Sequence, residues 1–342
     1  MASATDVRRA VWAPTLFDTD EWLSAWTRAT IDRQRIIHAG RPPRYLLEDS
    51  PFWRGYEDEV GTGSVWDRPL FTIGSVYSVF GPAYLASDPH AVRTLVDDAR
   101  AQAADLDAAG VLVFNLPPDT AHEWAAASEP DSVIRLDHAY HKIPGAGPDP
   151  VMGELSKHAR TEWRRRWRRA TEKDVRMVRV DRPSAAQVDR VLELTNGSAV
   201  KHGWPALYDR DTVVAVLDVP GAHLVLAEWD GRTIGGFVAI EHDRKLYLWA
   251  GGTDPDVYSE VSPYLFMLYE LLAQGVERGW ERMEFGRGND EFKRQKGFGG
   301  TPLWSLWYAA KPEQVDIYRP RLTALHDGLA TVQGYDGLPQ RV

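Results

Sequence analysis

Apolar residues recur along this chain at two spacings, and their order carries most of what the sequence says about its fold. In HLVLAEWDGRTIGGFVAIEHDRKLYLWAGG (223–252), three runs alternate apolar and polar positions and are separated by WDGR and HDRK. Alternation with a period of two marks half-buried strands, and Asp-Gly between two such runs marks a tight hairpin turn. The meander ends in the strand KLYLWAGGT. It leads into SPYLFMLYELLAQGVERGW, whose apolar residues recur every three to four positions and whose Gly279 is placed to stop a helix. RMEFGRG then gives another strand, so the segment reads as a βαβ unit. Ahead of the meander, SAAQVDRVLELTNGSAVKHG and DRDTVVAVLDV have helical spacing.

The first half repeats part of this order. VYSVFGP reads as a strand, a polar turn follows, and AVRTLVDDARAQAADLDAAG reads as a helix that runs to a glycine before the buried strand VLVFNLPP. The Pro-Gly cluster IPGAGPDP (143–150) reads as a linker. The pattern predicts an α/β fold with a mixed sheet, built from two related domains at 1–150 and 151–342, the second more complete. A length of 342 residues agrees with two cores rather than one.

Composition narrows the chemistry. With 44% apolar and 26% charged residues the chain is a folded one. It has no cysteine, which excludes thiol nucleophiles, disulfides and cysteine-ligated zinc. Histidine-aspartate groups such as DHAYHK lack metal-ligand spacing, and no P-loop is present, so no metal or cofactor is expected. No apolar run approaches the ~20 residues of a membrane span, and the N-terminus has no signal-type core, so the expected location is cytoplasmic.

The net charge of -9 hides a local reversal. Lys157 to Lys173 (KHARTEWRRRWRRATEK) carries +6, which leaves -15 for the remainder. A basic patch on an acidic body points to a local polyanion site. The four-residue spacing of Trp163 and Trp167 puts both on one helix face and leaves Arg164, Arg165, Arg168 and Arg169 for another. A solvated surface helix is the plain alternative. Five arginines within six residues repel one another, and an anion would offset that, which favours phosphate contact.

A second unusual stretch is FGRGNDEFKRQKGFGG (285–300), with five glycines, two lysines, two arginines and two carboxylates. An ordinary connection needs one or two glycines. This one reads as an exposed loop that wraps a substrate.

Three segments together resemble the FemABX family of aminoacyl-tRNA-dependent transferases, a duplicated branch of the GNAT acyltransferase superfamily. They are LSKHARTEWRRRWRRATEKDVRM, SPYLFMLYELLAQGVERGWERMEFGRG and DEFKRQKGFGG, and the resemblance runs from about Met152 to Trp307. It weakens toward the N-terminus, and the long helical hairpin of larger members is missing. The resemblance implies tandem GNAT-like domains and an aminoacyl-tRNA donor whose acyl group forms an amide on an acceptor amine. That acceptor would be a small specialised metabolite or a peptidoglycan precursor, with the N-terminal domain on the acceptor side.

Roles follow from it. Lys293 is implied to lie near the acyl centre, where a fixed ammonium can stabilise a developing oxyanion. Arg164, Arg165, Arg168, Arg169 and Lys296 would meet tRNA phosphate. Phe292, Arg287, Asp290, Tyr247, Trp249 and Tyr258 would line the acceptor side. His202 reads as an ordinary loop histidine, because an activated ester reacts mainly through positioning.

Two other functions compete. One is acyl-CoA-dependent N-acylation, which needs a glycine loop holding pyrophosphate at a helix start. The matching stretch here, GGTDPDVYSEVSPYLF, carries Asp254, Asp256 and Glu260, whose charges would repel it. The other is a non-catalytic RNA-binding protein on the same fold.

Overall fold

A computed structural model describes residues 15–28, 33–82, 88–146, 149, 151–153 and 155–334. The chain divides into two compact units, one made of Met1–Ala139 with Thr301–Val342 and the other of Tyr140–Gly300. The expected boundary at residue 150 differs from this division in two ways. The first unit already ends at Ala139, and the C-terminal segment Thr301–Val342 returns to it.

In the first unit the strands are β1 (Arg33–His38), β2 (Arg44–Asp49), β3 (Leu70–Ile73), β4 (Val111–Leu116) and the larger parts of β5 (Ser132–Lys142) and β11 (Gly299–Tyr308). β1, β2 and β3 form an antiparallel meander, β3 runs parallel to β4, and β11 pairs antiparallel with β4. The helix Pro89–Asp105 makes the crossover from β3 to β4. Val92, Val96, Phe71, Val111, Trp124 and Leu306 lie in its core.

VYSVFGP is not a strand. β3 ends at Ile73, and the backbone polar groups that follow are taken up by side chains rather than by a neighbouring strand. Asn115 Nδ2 donates to the carbonyls of Val76 and Ser78, and Ser75 Oγ accepts from the Tyr77 N–H. The apolar side chains of this run are buried without a ladder. The polar turn placed just after it lies largely outside the described residues.

The second unit repeats the plan. β6 (Arg176–Val180), β7 (Ala222–Trp229), β8 (Arg232–His242) and β9 (Lys245–Thr253) are consecutive antiparallel neighbours. β9 then runs parallel to β10 (Arg282–Glu284) through the helix Pro263–Arg278, and the end of β5 pairs antiparallel with β10. Both hairpin turns form where expected, the first with the expected Asp-Gly pair. Asp230 and Gly231 sit at φ 49° and 68°, and Asp243 and Arg244 at 47° and 55°, the positive φ pair that a primed two-residue turn requires. Gly279, at φ 66°, ends the long helix as expected.

Two helical layers cover this sheet. On one side a capping box of Ser184 and Gln187 starts the helix Ala185–Lys201. It lies so close to β9 that a Cβ at Gly252 would fall 2.1 Å from the Leu194 carbonyl oxygen. On the other side are Pro263–Arg278 and the basic helix Lys157–Glu172, whose N-cap Ser156 accepts from the Ala159 N–H. Their shared core contains Trp163, Leu265, Leu268, Leu272, Met283 and Phe285. Among the described residues no helix is long and apolar enough to cross a membrane. No group of three or more potential metal ligands occurs among them either.

Candidate active site

The basic helix is anchored by its two tryptophans. Trp163 is buried and its Nε1–H donates to the Leu265 carbonyl at 3.0 Å. Trp167 stacks on Tyr269 at 4.6 Å between centroids and donates to Glu270 at 2.6 Å. This directs Arg164, Arg165, Arg168 and Arg169 outward, and all four are exposed. The helix has more carboxylate partners than its sequence indicates. Arg164 pairs with Asp149, Arg166 with Glu162, and Lys173 with Glu260. Arg165, Arg168 and Arg169 have no ion-pair partner among the described residues. They form the open basic face.

The stretch 285–300 is not a plain loop. Residues Asp290–Gln295 form a short helix, which turns Lys293 inward. Lys293 is 3% exposed rather than on the surface. Its ammonium donates to the carbonyls of Phe285 and Arg287, each at 2.9 Å, with the Gly286 carbonyl at 3.5 Å. It also lies 5.1 Å from the centroid of the Tyr140 ring. The Tyr140 hydroxyl in turn donates to Asp290 at 2.6 Å. Lys293, Tyr140 and Asp290 thus lock the turn 285–290 to its own helix and to β5.

The other candidate residues fall into three groups. Phe292 is half-buried, packs edge-on against Tyr264 at 5.5 Å, and lies 5.7 Å from the Lys296 ammonium. The hydrogen bond from Arg166, together with the Lys296 charge, holds the Glu162 carboxyl below its usual range. Lys296 therefore lies beside the basic helix.

Arg287 belongs with Tyr208 and Trp249. The Tyr208 and Trp249 rings are 4.6 Å apart. Burial pushes the Tyr208 hydroxyl up to about 12 while the Arg287 charge pulls it back. Trp249 and Tyr247 are both buried.

Tyr258 stands under the Arg166 guanidinium at 5.9 Å, ahead of the long helix, so it belongs with the basic helix. Two of the carboxylates expected to repel pyrophosphate are neutralised. Asp254 pairs with Arg190 and Glu260 with Lys173. A four-residue helix, Tyr258–Val261, occupies the place where a glycine-rich loop would lie.

Tyr140, Tyr208 and Tyr264 were not singled out from the sequence. Tyr264, in the first turn after Pro263, carries a local signal. Tyr140 and Tyr208 reach the site only through pairing and packing.

Beside this group is a row of buried titratable residues. Glu284 on β10 pairs in register with His141 on β5 and with Tyr247 on β9, so the three share one face. Burial raises the Glu284 carboxyl, with the adjacent Arg282 opposing it. Burial, and then the charges of Arg282 and Lys142, bring His141 down to about 3. Neutral His141 is thus favoured in the folded state and protonated His141 only in the unfolded chain. Its contribution to stability is complete above an unfolded pKa of ~6.5 and is lost as pH falls toward 3, at up to ~1.4 kcal/mol per pH unit. Asp18 in the other unit, raised by burial to about 6, acts in the opposite sense between 6 and its unfolded value. Melting temperature is expected to fall on acidification from pH 7 to 4, and His141→Gln should flatten that fall. An unchanged slope in the variant would show that other groups control acid sensitivity.

Comparison with known proteins separates fold from function. Residues 157–294 match the family model described as an acetyltransferase (GNAT) domain. The solved structure of FemX superposes with a TM-score of 0.59 at 13% identity, covering 90% of this chain and 96% of that one. The fold is FemX-like, and the segment that matches the GNAT-domain model lies within it. This FemX-like fold is shared with the C-terminal domain of a putative lysylphosphatidylglycerol synthetase from Agrobacterium fabrum (TM-score 0.55, 12% identity, 96% of each chain). It is shared also with L-PGS from Bacillus licheniformis (TM-score 0.52, 9% identity, 86% of this chain and 89% of that one). No curated protein matches by sequence.

Proposed function

We propose that this chain is an aminoacyl-tRNA-dependent aminoacyltransferase that forms an amide bond on an acceptor amine, either a small metabolite or a cell-wall precursor. The observation that carries it is the open arginine face of the basic helix, joined through Lys296 and Glu162 to the 285–298 segment. A donor whose phosphates lie along Arg165, Arg168 and Arg169 would bring its 3′ end toward that segment. Arginine-phosphate contacts fix such a donor without reading its sequence. The FemX-like fold, and the name of one structural relative, a putative lysylphosphatidylglycerol synthetase, support transfer of an aminoacyl group. The tandem plan of the chain, a meander plus βαβ in each unit, leaves the first unit for acceptor binding.

One observation favours an acyl-CoA donor instead. With Asp254 and Glu260 paired, only Asp256 of the three carboxylates lacks an ion-pair partner among the described residues ahead of the long helix. Against it, Pro263 offers no N–H at that helix start and Arg166 is already engaged by Ser262 Oγ at 3.2 Å.

Transfer from radiolabelled aminoacyl-tRNA to an amine, with and without RNase, decides between the donors. Label incorporation abolished by RNase is the expected result. Micromolar acetyl-CoA affinity with turnover would overturn the proposal.

A further inference from the structure

The buried position of Lys293 has a geometric consequence for the backbone it holds. In a trans peptide the C=O of one residue and the N–H of the next point in opposite directions. The peptides at 285–288 are all trans. Because the Phe285 and Arg287 carbonyls converge on the Lys293 ammonium, the N–H groups of Gly286 and Gly288 point away from it, to the other side of the turn. Both glycines have positive φ, 62° and 71°. Neither N–H has a hydrogen-bond acceptor among the described residues.

For Gly286 this is unusual, because the residue is buried, and buried backbone N–H groups are almost always paired. The reason lies in the ladder. β9 and β10 stay in parallel register up to Tyr247 and Glu284 and no further. One more rung would have put the Gly286 N–H on the Leu248 carbonyl. The strands stop pairing there instead, and the Gly286 N–H is left without an acceptor on the β9 side. Arg287, between the two glycines, sends its charge to Tyr208, which packs on Trp249. Two unpaired donors thus flank, in sequence, a residue whose charge reaches an aromatic pair.

Resting on the aminoacyl transfer proposed above, we infer that the Gly286 and Gly288 N–H groups form the oxyanion site of the reaction, with Lys293 as the residue that positions them. The acceptor nitrogen, once deprotonated, forms a bond to the acyl carbon, and the carbonyl π electrons move onto the oxygen held by the two N–H groups. Collapse restores the carbonyl, breaks the bond to the ribose oxygen of the donor, and passes the nitrogen proton to that oxygen. Lys293 touches no reacting atom in this scheme. Its ammonium saturates the carbonyl side of the turn, so the amide side stays open.

The test replaces Gly288 by glycolate in the full-length protein, which exchanges the N–H for an ester oxygen and leaves φ, side chain and charge unchanged. Removing one oxyanion donor is expected to lower kcat by roughly 10²–10³ with KM for aminoacyl-tRNA within about threefold and melting unchanged. A kcat within threefold of the unmodified protein overturns the inference. So does a change confined to KM, which would make the site a ground-state phosphate contact. If the unmodified protein transfers nothing from aminoacyl-tRNA, the donor assignment has failed rather than the oxyanion site. The same substitution read with acyl-CoA then tests the site, because the same oxyanion develops on a thioester.

Discussion

Lys293→Met is expected to lower kcat by roughly 10²–10³ at saturating donor while KM for aminoacyl-tRNA changes by less than about threefold. It should also lower stability by about 1–3 kcal/mol, since methionine fills the volume but leaves the buried Phe285 and Arg287 carbonyls without their donor. Lys293→Arg should not restore the rate, because a planar fork cannot replace a compact ammonium among carbonyls. Lys296→Met is the control. Lys296 is half-buried over Phe292 and beside Glu162, and its loss should act on donor KM. Single-turnover rates at a temperature below the melting of each variant separate the two effects. If Lys293→Met melts earlier yet keeps its kcat, the turn is scaffold alone.

The second large effect belongs to the open basic face. Replacing Arg165, Arg168 and Arg169 together by Ala should weaken tRNA binding and reduce the slope of log K against log salt by about two to three, because each phosphate contact releases roughly 0.7–0.9 of a counterion. Arg164→Ala should cost less than any of these, because Arg164 is already paired with Asp149. Fluorescence anisotropy across a salt series measures both. A triple variant with unchanged affinity and slope would make this a solvated helix and remove the main support for the tRNA donor.

Much of the fold could be read from local chemistry. The two hairpin turns and the Gly279 stop depend on a few neighbouring residues, and all were legible. VYSVFGP misled because alternation reports burial, and here a distant asparagine side chain takes the place of a neighbouring strand. The membership of Thr301–Val342 in the first unit depends on β11 pairing with β4, a partner remote in the chain, which no local pattern encodes. In the segment 285–300 the sequence suggested an exposed loop, whereas Lys293 is buried. The stretch from Asp290 to Gln295 carries no strong helix signature, and the burial of Lys293 follows from that turn of helix. The open N–H groups could not be foreseen at all, because they arise where two strands cease to pair.

The division of the chain also sets an order in time. Tyr140–Gly300 is continuous, whereas the other unit is broken around it and takes most of strand β11 and the helix Glu313–Val332 from the C-terminal segment Thr301–Val342. A ribosome adding about 5–20 residues per second therefore delivers the whole of Tyr140–Gly300 before the other unit can close its own sheet. For those seconds the segment Met1–Ala139 waits with the β4 edge uncovered. Residues up to Ala139 thus precede Tyr140–Gly300 in synthesis and follow it in completing their sheet.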